Sequence, residues 1–151
     1  MLKAIRFTAA YAALTAAHEV ADYWAQRDTD AVTKGRPGPE GAAACARHVT
    51  GYTAVQAATL AAVSAHLGLR YNWRHAAAGL AVSALSHYAA DRGAGRWKET
   101  GPDAPAVVRL AHRTGKTQWL TRDPGAGPLM DQAWHKGWIL LAAAVAAGGR
   151  P

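Results

Sequence analysis

Pairs of histidine and aspartate interrupt otherwise apolar, alanine-rich segments at three places in this chain. Within each pair the two residues are four positions apart: His18/Asp22, His87/Asp91 and Asp131/His135. In an α-helix this spacing puts both side chains on the same face, one turn apart. Unpaired charged groups inside a helical core are costly. Any fold of this chain must therefore pair these groups with each other, place them beside water or supply a cation.

The whole chain favours helix, because no alternating run of apolar and polar residues reaches strand length. Half of the residues are apolar, and alanine dominates them, a residue that favours helix and allows close helix contact. Segments rich in glycine and proline set the helix boundaries. We expect one all-α domain whose four helices cover residues about 4–26, 42–67, 75–92 and 128–147.

These helices are expected to form an antiparallel four-helix bundle, with a long basic loop between the third and fourth helices. His18 and Asp22 lie near the end of the first helix, and His48 lies near the start of the second. The other two pairs fall near the end of the third helix and the start of the fourth. Since these ends lie on the same side of an antiparallel bundle, all four helices are predicted to contribute to one polar layer.

Imidazoles and carboxylates gathered at one level of a bundle are typical ligands of divalent transition metals. The predicted ligands come from all four helices: His18, Asp22, His48, His87, Asp91, Asp131 and His135. These donors suit Zn, Mn, Fe or Ni and do not choose among them. Seven candidates exceed one tetrahedral site, so we expect two ions, or one ion whose ligands are oriented by the remaining residues. Gln26 and Gln132 are predicted to orient ligands or substrate, whereas Cys45 is interpreted as a small buried thiol.

Segment length and charge distribution favour a membrane-embedded bundle. Residues 49–69 form a 21-residue stretch in which His66 is the only ionisable group, long enough to cross a bilayer. Most Lys and Arg residues fall on the side of the two long loops, which predicts a multi-pass protein with these loops in the cytoplasm. The other helices are more polar and the mean hydropathy is −0.12, so a soluble alanine-rich bundle is the alternative.

The polar pattern resembles that of a family of small, uncharacterised bacterial and phage membrane proteins grouped as a domain of unknown function. Its features are His-x-x-x-Asp-x-x-x-Gln in the first helix, a lysine soon after, a lone histidine opening the second helix, His-x-x-x-Asp closing the third and Asp-Gln-x-x-His opening the last. The matching residues here are His18, Asp22, Gln26, Lys34, His48, His87, Asp91, Asp131, Gln132 and His135. The match leaves out most of residues 93–127. It implies a polytopic helical protein and supplies no established activity.

Three functions fit these observations and the net charge of +7. The first is a metal-dependent hydrolase at the cytoplasmic membrane face, in which the ion activates water and Arg92 helps to bind an anionic substrate. The second is a non-enzymatic membrane protein, such as an ion or proton carrier or a phage accessory factor, with a structural polar network. The third is a soluble basic bundle that binds nucleic acid. No catalytic residue is assigned, and the substrate and oligomeric state stay open.

Overall fold

Helices make up most of the chain in the computed structural model, which describes residues 1–149. The long helices are α1 (Leu2–Val20), α3 (Gly38–His66), α4 (Trp73–Asp91) and α7 (Ala126–Ala146). Shorter helices are α2 (Asp28–Thr33), α5 (Ala106–Ala111) and α6 (Thr117–Arg122). π-Helical turns follow α1 and α5, at Ala21–Ala25 and His112–Lys116. Residues 1–149 contain no strand, which confirms the all-α class.

Local sequence explains where the long helices begin and end. Asn72 caps α4, because its side-chain oxygen accepts hydrogen bonds from the backbone N–H groups of Arg74 and His75. Pro39 lies in the first turn of α3, where its missing N–H is not needed. Beyond the end of α3, Gly68 has a φ of +63°, a left-handed conformation that glycine adopts without strain.

The four long helices pack side by side in an antiparallel arrangement. Both α1 and α4 contact α3 and α7. The Tyr71 hydroxyl, just before α4, donates to the Arg6 carbonyl oxygen in α1. The Arg6 guanidinium in turn donates to the Gly149 carbonyl oxygen, just beyond α7. The starts of α1 and α4 therefore meet the end of α7 at one end of the bundle, so neighbouring helices run in opposite directions.

Small side chains let these helices approach closely. One hydrophobic cluster, which we call the bundle core, consists of Ala10, Ala13, Leu14, Leu60, Ile139, Ala142 and Ala143. Gly79 of α4 lies directly against α7. A Cβ atom at this position would lie 2.5 Å from the Ala142 carbonyl oxygen and 2.8 Å from the Ala146 Cβ atom. The close approach of α4 to α7 therefore requires glycine at position 79.

We expect Gly79→Ala to destabilise the fold, although alanine is the better helix former. The added methyl group overlaps the α7 backbone, and overpacking of this kind costs about 1–3 kcal/mol. Gly137 is the matched control, because it also lies inside a long helix but a Cβ atom there meets nothing within 4 Å. Gly137→Ala should stabilise by about 0.4–1 kcal/mol. Urea unfolding of the three proteins checks both signs, and equal effects at the two positions would contradict the close α4–α7 contact.

The long basic segment between α4 and α7 is folded and not an extended loop. It carries α5, a π-helical turn and α6. A second hydrophobic cluster, which we call the cap core, consists of Trp97, Ala104, Val107, Val108, Ala111, Leu120 and Ala126. These residues are widely spaced in sequence and form a cluster only because the chain folds back on itself. Residues 93–125 are therefore called the cap below.

The predicted membrane embedding is wrong. Among residues 1–149, every helix falls short of the combined length and apolar content that a bilayer crossing needs. Helix α3 contains most of the predicted span, but its apolar residues are mainly alanine, with threonine, glutamine and serine between them. The prediction was based on the scarcity of ionisable groups in this stretch. Alanine and threonine contribute little hydrophobicity, so a stretch made mainly of them is not sufficiently apolar. The predicted multi-pass topology with cytoplasmic long loops is wrong for the same reason.

Candidate metal centre

The polar residues of the four long helices meet at one end of the bundle, where the structure brings together all seven predicted ligands. The imidazoles are at most 5% exposed, and neighbouring ring centres lie 4.2–5.0 Å apart: His18, His48, His87 and His135. Three carboxylates lie beside these rings: Asp22, Asp91 and Asp131. These seven residues are called the polar cluster below.

Two imidazoles and two carboxylates form the tightest part of the polar cluster. His48 Nε2 and His87 Nε2 are 2.9 Å apart. Asp91 Oδ2 lies 3.2 Å from both nitrogens. Asp22 Oδ1 lies 3.3 Å from His48 Nε2 and 3.4 Å from His87 Nε2. Two nitrogens and two anionic oxygens this close together repel one another unless protons or a cation lie between them, so this group, the inner set, has the chemistry of a cation site.

The spacing within the inner set is close to that of donors around a tetrahedral ion. Bonds from zinc to imidazole nitrogen and carboxylate oxygen are about 2.0–2.2 Å long, which places tetrahedral donors about 3.3–3.6 Å apart. The nitrogen–nitrogen and nitrogen–oxygen separations in the inner set span 2.9–3.4 Å. Asp22, His48 and His87 can each offer one donor atom such that all three atoms lie within 4.8 Å of one another.

A second group of donors, the outer set, surrounds the other oxygen of Asp91. His135 Nε2 lies 3.9 Å from Asp91 Oδ1 and 3.2 Å from Asp131 Oδ2. One donor atom from each of these three residues lies within 4.8 Å of the other two. Within residues 1–149, neither His135 Nε2 nor Asp131 Oδ1 has a hydrogen-bond partner, although both atoms are buried. The outer set is therefore a second place where a cation could satisfy buried polar atoms.

The two glutamines that were predicted to orient ligands both contact the polar cluster. Gln132 Oε1 lies 3.3 Å from His18 Nε2. In the amide orientation that satisfies both partners, Gln26 accepts from Lys34 Nζ at 3.1 Å and donates to the Asp22 carbonyl oxygen at 3.3 Å. Asp22 itself lies in the π-helical turn after α1, an irregularity that is frequent at functional sites.

Lys34 reaches the polar cluster from the connection between α2 and α3. Its ammonium group lies 3.0 Å from Asp91 Oδ2, and its side chain is only 11% exposed. Arg92, which was predicted to bind substrate, donates to the Lys34 carbonyl oxygen. This bond fixes the backbone that carries Lys34, and a role for Arg92 towards a substrate stays a prediction.

Burial and neighbouring charges divide the imidazoles into two kinds. Burial lowers the pKa of His18 and His87 below the ordinary 6.5, and nearby carboxylates offset this only in part. Burial acts in the same direction on His135, but the adjacent Asp131 carboxylate outweighs it, and the pKa of His135 is raised. His18 and His87 are therefore neutral near pH 7, which is the form that binds metals.

Both carboxylates of the inner set are held in the ionised form. Burial by itself would raise the pKa of Asp22, but the contacts of its carboxylate with the His48 and His87 imidazoles outweigh it, and the pKa is lowered. The pKa of Asp91 is also lowered, since the adjacent His87 imidazole and the Lys34 ammonium overcome its burial. Two buried anions are thus kept charged in a position where a cation can bind them.

A cavity of about 500 Å³ opens onto the carboxylates of the polar cluster. One side of it is formed by residues at the bundle end: Asp22, Tyr23, Gln26, Lys34, Asp91, Asp131 and Gln132. The cap supplies the other side, with residues that include Arg96, Trp97 and Lys98. A volume of this size suits a small-molecule ligand. The carboxylates thus face the cavity, and the imidazoles lie behind them.

Three polar residues that were not predicted as site residues support the polar cluster: Tyr52, Gln56 and Ser83. The Tyr52 ring lies against His87, with ring centres 3.9 Å apart. The Tyr52 hydroxyl lies 2.8 Å from Ser83 Oγ and accepts a hydrogen bond from Gln56 Nε2 at 2.7 Å. The sequence did contain a signal, because His48, Tyr52 and Gln56 continue the spacing of four along α3.

Cys45 is buried, as its position in the sequence suggested. It is 0% exposed, and its Sγ atom lies 3.8 Å from the Tyr88 carbonyl oxygen. Burial raises the pKa of the Cys45 thiol to about 12. The thiol therefore stays protonated at neutral pH, whereas metal binding requires the thiolate.

No protein family, curated protein or solved structure matches this chain. The resemblance to the bacterial and phage membrane family therefore stays an expectation. The polar cluster and the cavity above it are the observations from which a function can be inferred.

Proposed function

We propose that this protein binds a divalent transition metal ion, with zinc as the best fit, through the inner set of Asp22, His48, His87 and Asp91. The observation that carries the proposal is that two imidazole nitrogens lie 2.9 Å apart and that one oxygen each of Asp22 and Asp91 lies 3.2–3.4 Å from both nitrogens. A donor set that includes two imidazole nitrogens favours zinc over manganese, which prefers octahedral oxygen ligands. Asp22 Oδ1 and Asp91 Oδ2 are both buried, and buried carboxylate oxygens of this kind are suitable ligands for a cation.

An ion held by all four residues of the inner set has a filled coordination sphere. Filled spheres are typical of structural ions, whereas catalytic zinc sites keep one position for water or substrate. The ion would join α3, α4 and the π-helical turn after α1 at the end of the bundle, so part of its binding energy would stabilise the fold. At the inner set, a filled coordination sphere favours a structural ion within a polar network over a catalytic one.

Equilibrium dialysis against zinc, followed by elemental analysis, tests the proposal. We expect the unaltered protein to retain zinc after free metal is removed, and His48→Gln and His87→Gln to lose the inner ion. His66→Ala is the matched control, because His66 is an exposed histidine of the same helix at its far end. Circular dichroism of each variant separates loss of the ion from loss of the fold.

Two outcomes would overturn the proposal. One is unaltered, folded protein that retains no zinc. The other is a folded His48→Gln or His87→Gln variant that retains as much zinc as His66→Ala. Retention by His66→Ala together with loss in both inner-set variants would support it.

A further inference from the structure

We infer that a second divalent cation binds in the outer set, between Asp91, Asp131 and His135, with one coordination position open to the cavity for an oxyanion ligand. The second site rests on the proposed function because Asp91 would bridge the inner ion and the outer ion. The outer set is a separate site, because two of its three residues, Asp131 and His135, do not belong to the inner set.

The outer set contains buried metal-ligand atoms whose hydrogen bonding is incomplete. His135 is 2% exposed, and its Nε2 atom has no hydrogen-bond partner within residues 1–149. This atom points to the carboxylates, at 3.2 Å from Asp131 Oδ2 and 3.9 Å from Asp91 Oδ1. Asp131 Oδ1 is also buried and without such a partner. A cation among the three residues would satisfy atoms whose burial is otherwise unfavourable.

The two oxygens of Asp91 face different donor sets. Oδ2 lies 3.2 Å from both imidazole nitrogens of the inner set, and Oδ1 lies towards His135 of the outer set. Two-metal sites in proteins hold their ions about 3.5–4 Å apart, a separation that one bridging carboxylate can span. Asp91 is therefore placed to bind one ion through each oxygen.

The outer set differs from the inner set in being incomplete and accessible. Its three protein donors leave at least one coordination position for another ligand. The Asp131 side chain is 20% exposed, against 2% for Asp91. Asp131 also lines the cavity together with the neighbouring Gln132. A ligand in the cavity can thus reach the outer ion directly.

Charge in the cavity points to an anionic ligand. With two divalent ions bound, the charges of the ions and of Lys34, Arg96 and Lys98 exceed those of the five carboxylates that line the cavity: Asp22, Asp91, Glu99, Asp123 and Asp131. Lys34 adds an ammonium group 3.0 Å from Asp91 Oδ2, and Lys98 lines the wall that the cap supplies. Oxygen donors are the ligands that complete such coordination spheres, and an oxyanion also matches the net positive charge.

Zinc stoichiometry and phosphate binding test the inference together. We expect elemental analysis to find two zinc ions per chain in the unaltered protein, and one in Asp131→Asn. Asp28→Asn is the matched control, because Asp28 is an exposed aspartate outside the polar cluster, and it should keep both ions. Calorimetric titration with inorganic phosphate should show binding to the zinc-loaded protein, and none to the metal-free protein or to zinc-loaded Asp131→Asn.

The possible failures are distinguishable. One zinc ion in the unaltered protein, lost in His87→Gln, would overturn the second site and leave the proposed function standing. No zinc at all would overturn both. Two zinc ions without phosphate binding, or phosphate binding that Asp131→Asn retains in full, would overturn the oxyanion ligand at the outer ion. His135→Gln gives an independent check, because it removes the nitrogen donor and should also leave one ion.

Discussion

Asp91→Asn should abolish zinc binding and also destabilise the metal-free protein. The Asp91 carboxylate lies 3.2 Å from the Nε2 atoms of His48 and His87 and 3.0 Å from Lys34 Nζ. Asparagine keeps the shape but removes the charge, which leaves the Lys34 ammonium, with a side chain only 11% exposed, without its ion-pair partner. Removing one partner of a buried ion pair costs about 3–5 kcal/mol. Zinc affinity should fall by more than about 10–100-fold, which is the usual loss when a residue that hydrogen-bonds a metal ligand is removed.

Urea unfolding in the presence of a chelator, and again with excess zinc, measures both effects. Asp28→Asn serves as the control and should behave like the unaltered protein in both conditions. The double variant Lys34→Met/Asp91→Asn should regain part of the lost stability without metal, because no ammonium group is then left unpaired. Metal-free Asp91→Asn with unaltered stability would contradict the buried ion pair.

Acidification should weaken the metal-free protein in two stages. The pKa values of His18 and His87 are lowered in the folded state. At pH values between the ordinary pKa of 6.5 and these lowered pKa values, the unfolded chain binds protons that the folded protein does not. The free energy of unfolding therefore decreases as the pH falls through this range. His135 acts in a different range, above pH 6.5: its raised pKa lets the folded protein bind a proton that the unfolded chain does not, so stability is gained as the pH falls towards 6.5.

The second stage comes from carboxylates. The lowered pKa values of Asp22 and Asp91 contribute stability above the ordinary value of 3.8, and this contribution is lost as the pH falls towards the lowered values. Excess zinc should steepen the first stage, since protons and the ion compete for the inner-set imidazoles.

Chemical denaturation at a series of pH values between 8 and 3, with and without zinc, resolves the two stages. His135→Gln should abolish the gain in stability of the metal-free protein as the pH falls to 6.5, because it removes the group with the raised pKa, whereas His66→Ala should leave this gain unchanged. Metal-free stability that increases as the pH falls below 6.5 would contradict the neutral, buried state of His18 and His87.

The helical class and the polar cluster could be predicted because both depend on local spacing. Alanine-rich segments and turn residues mark the helices. A spacing of four places His18 beside Asp22 and His87 beside Asp91 on their helices. The alternating direction of consecutive helices then brings their polar ends together, which the structure shows as one buried layer.

Other features depend on contacts between distant parts of the chain or on a balance of small quantities. The cap core joins Trp97 to Leu120 and Ala126, and no periodic pattern connects these residues. Lys34 lies in a connection, so its approach to Asp91 follows from the path of the backbone and not from helical spacing. Membrane embedding was mispredicted because a long stretch without charge is not sufficiently apolar when alanine and threonine dominate it.

Helix α7 passes through three chemically different layers. Ala126 belongs to the cap core, His135 to the polar cluster, and Ile139 to the bundle core. Apolar contacts alone therefore do not run continuously from one core to the other, and the cap can open as a separate cooperative unit when the polar layer is weakened. With ions in that layer, the two cores should melt together, so the metal content would set whether this small chain unfolds in one step or two.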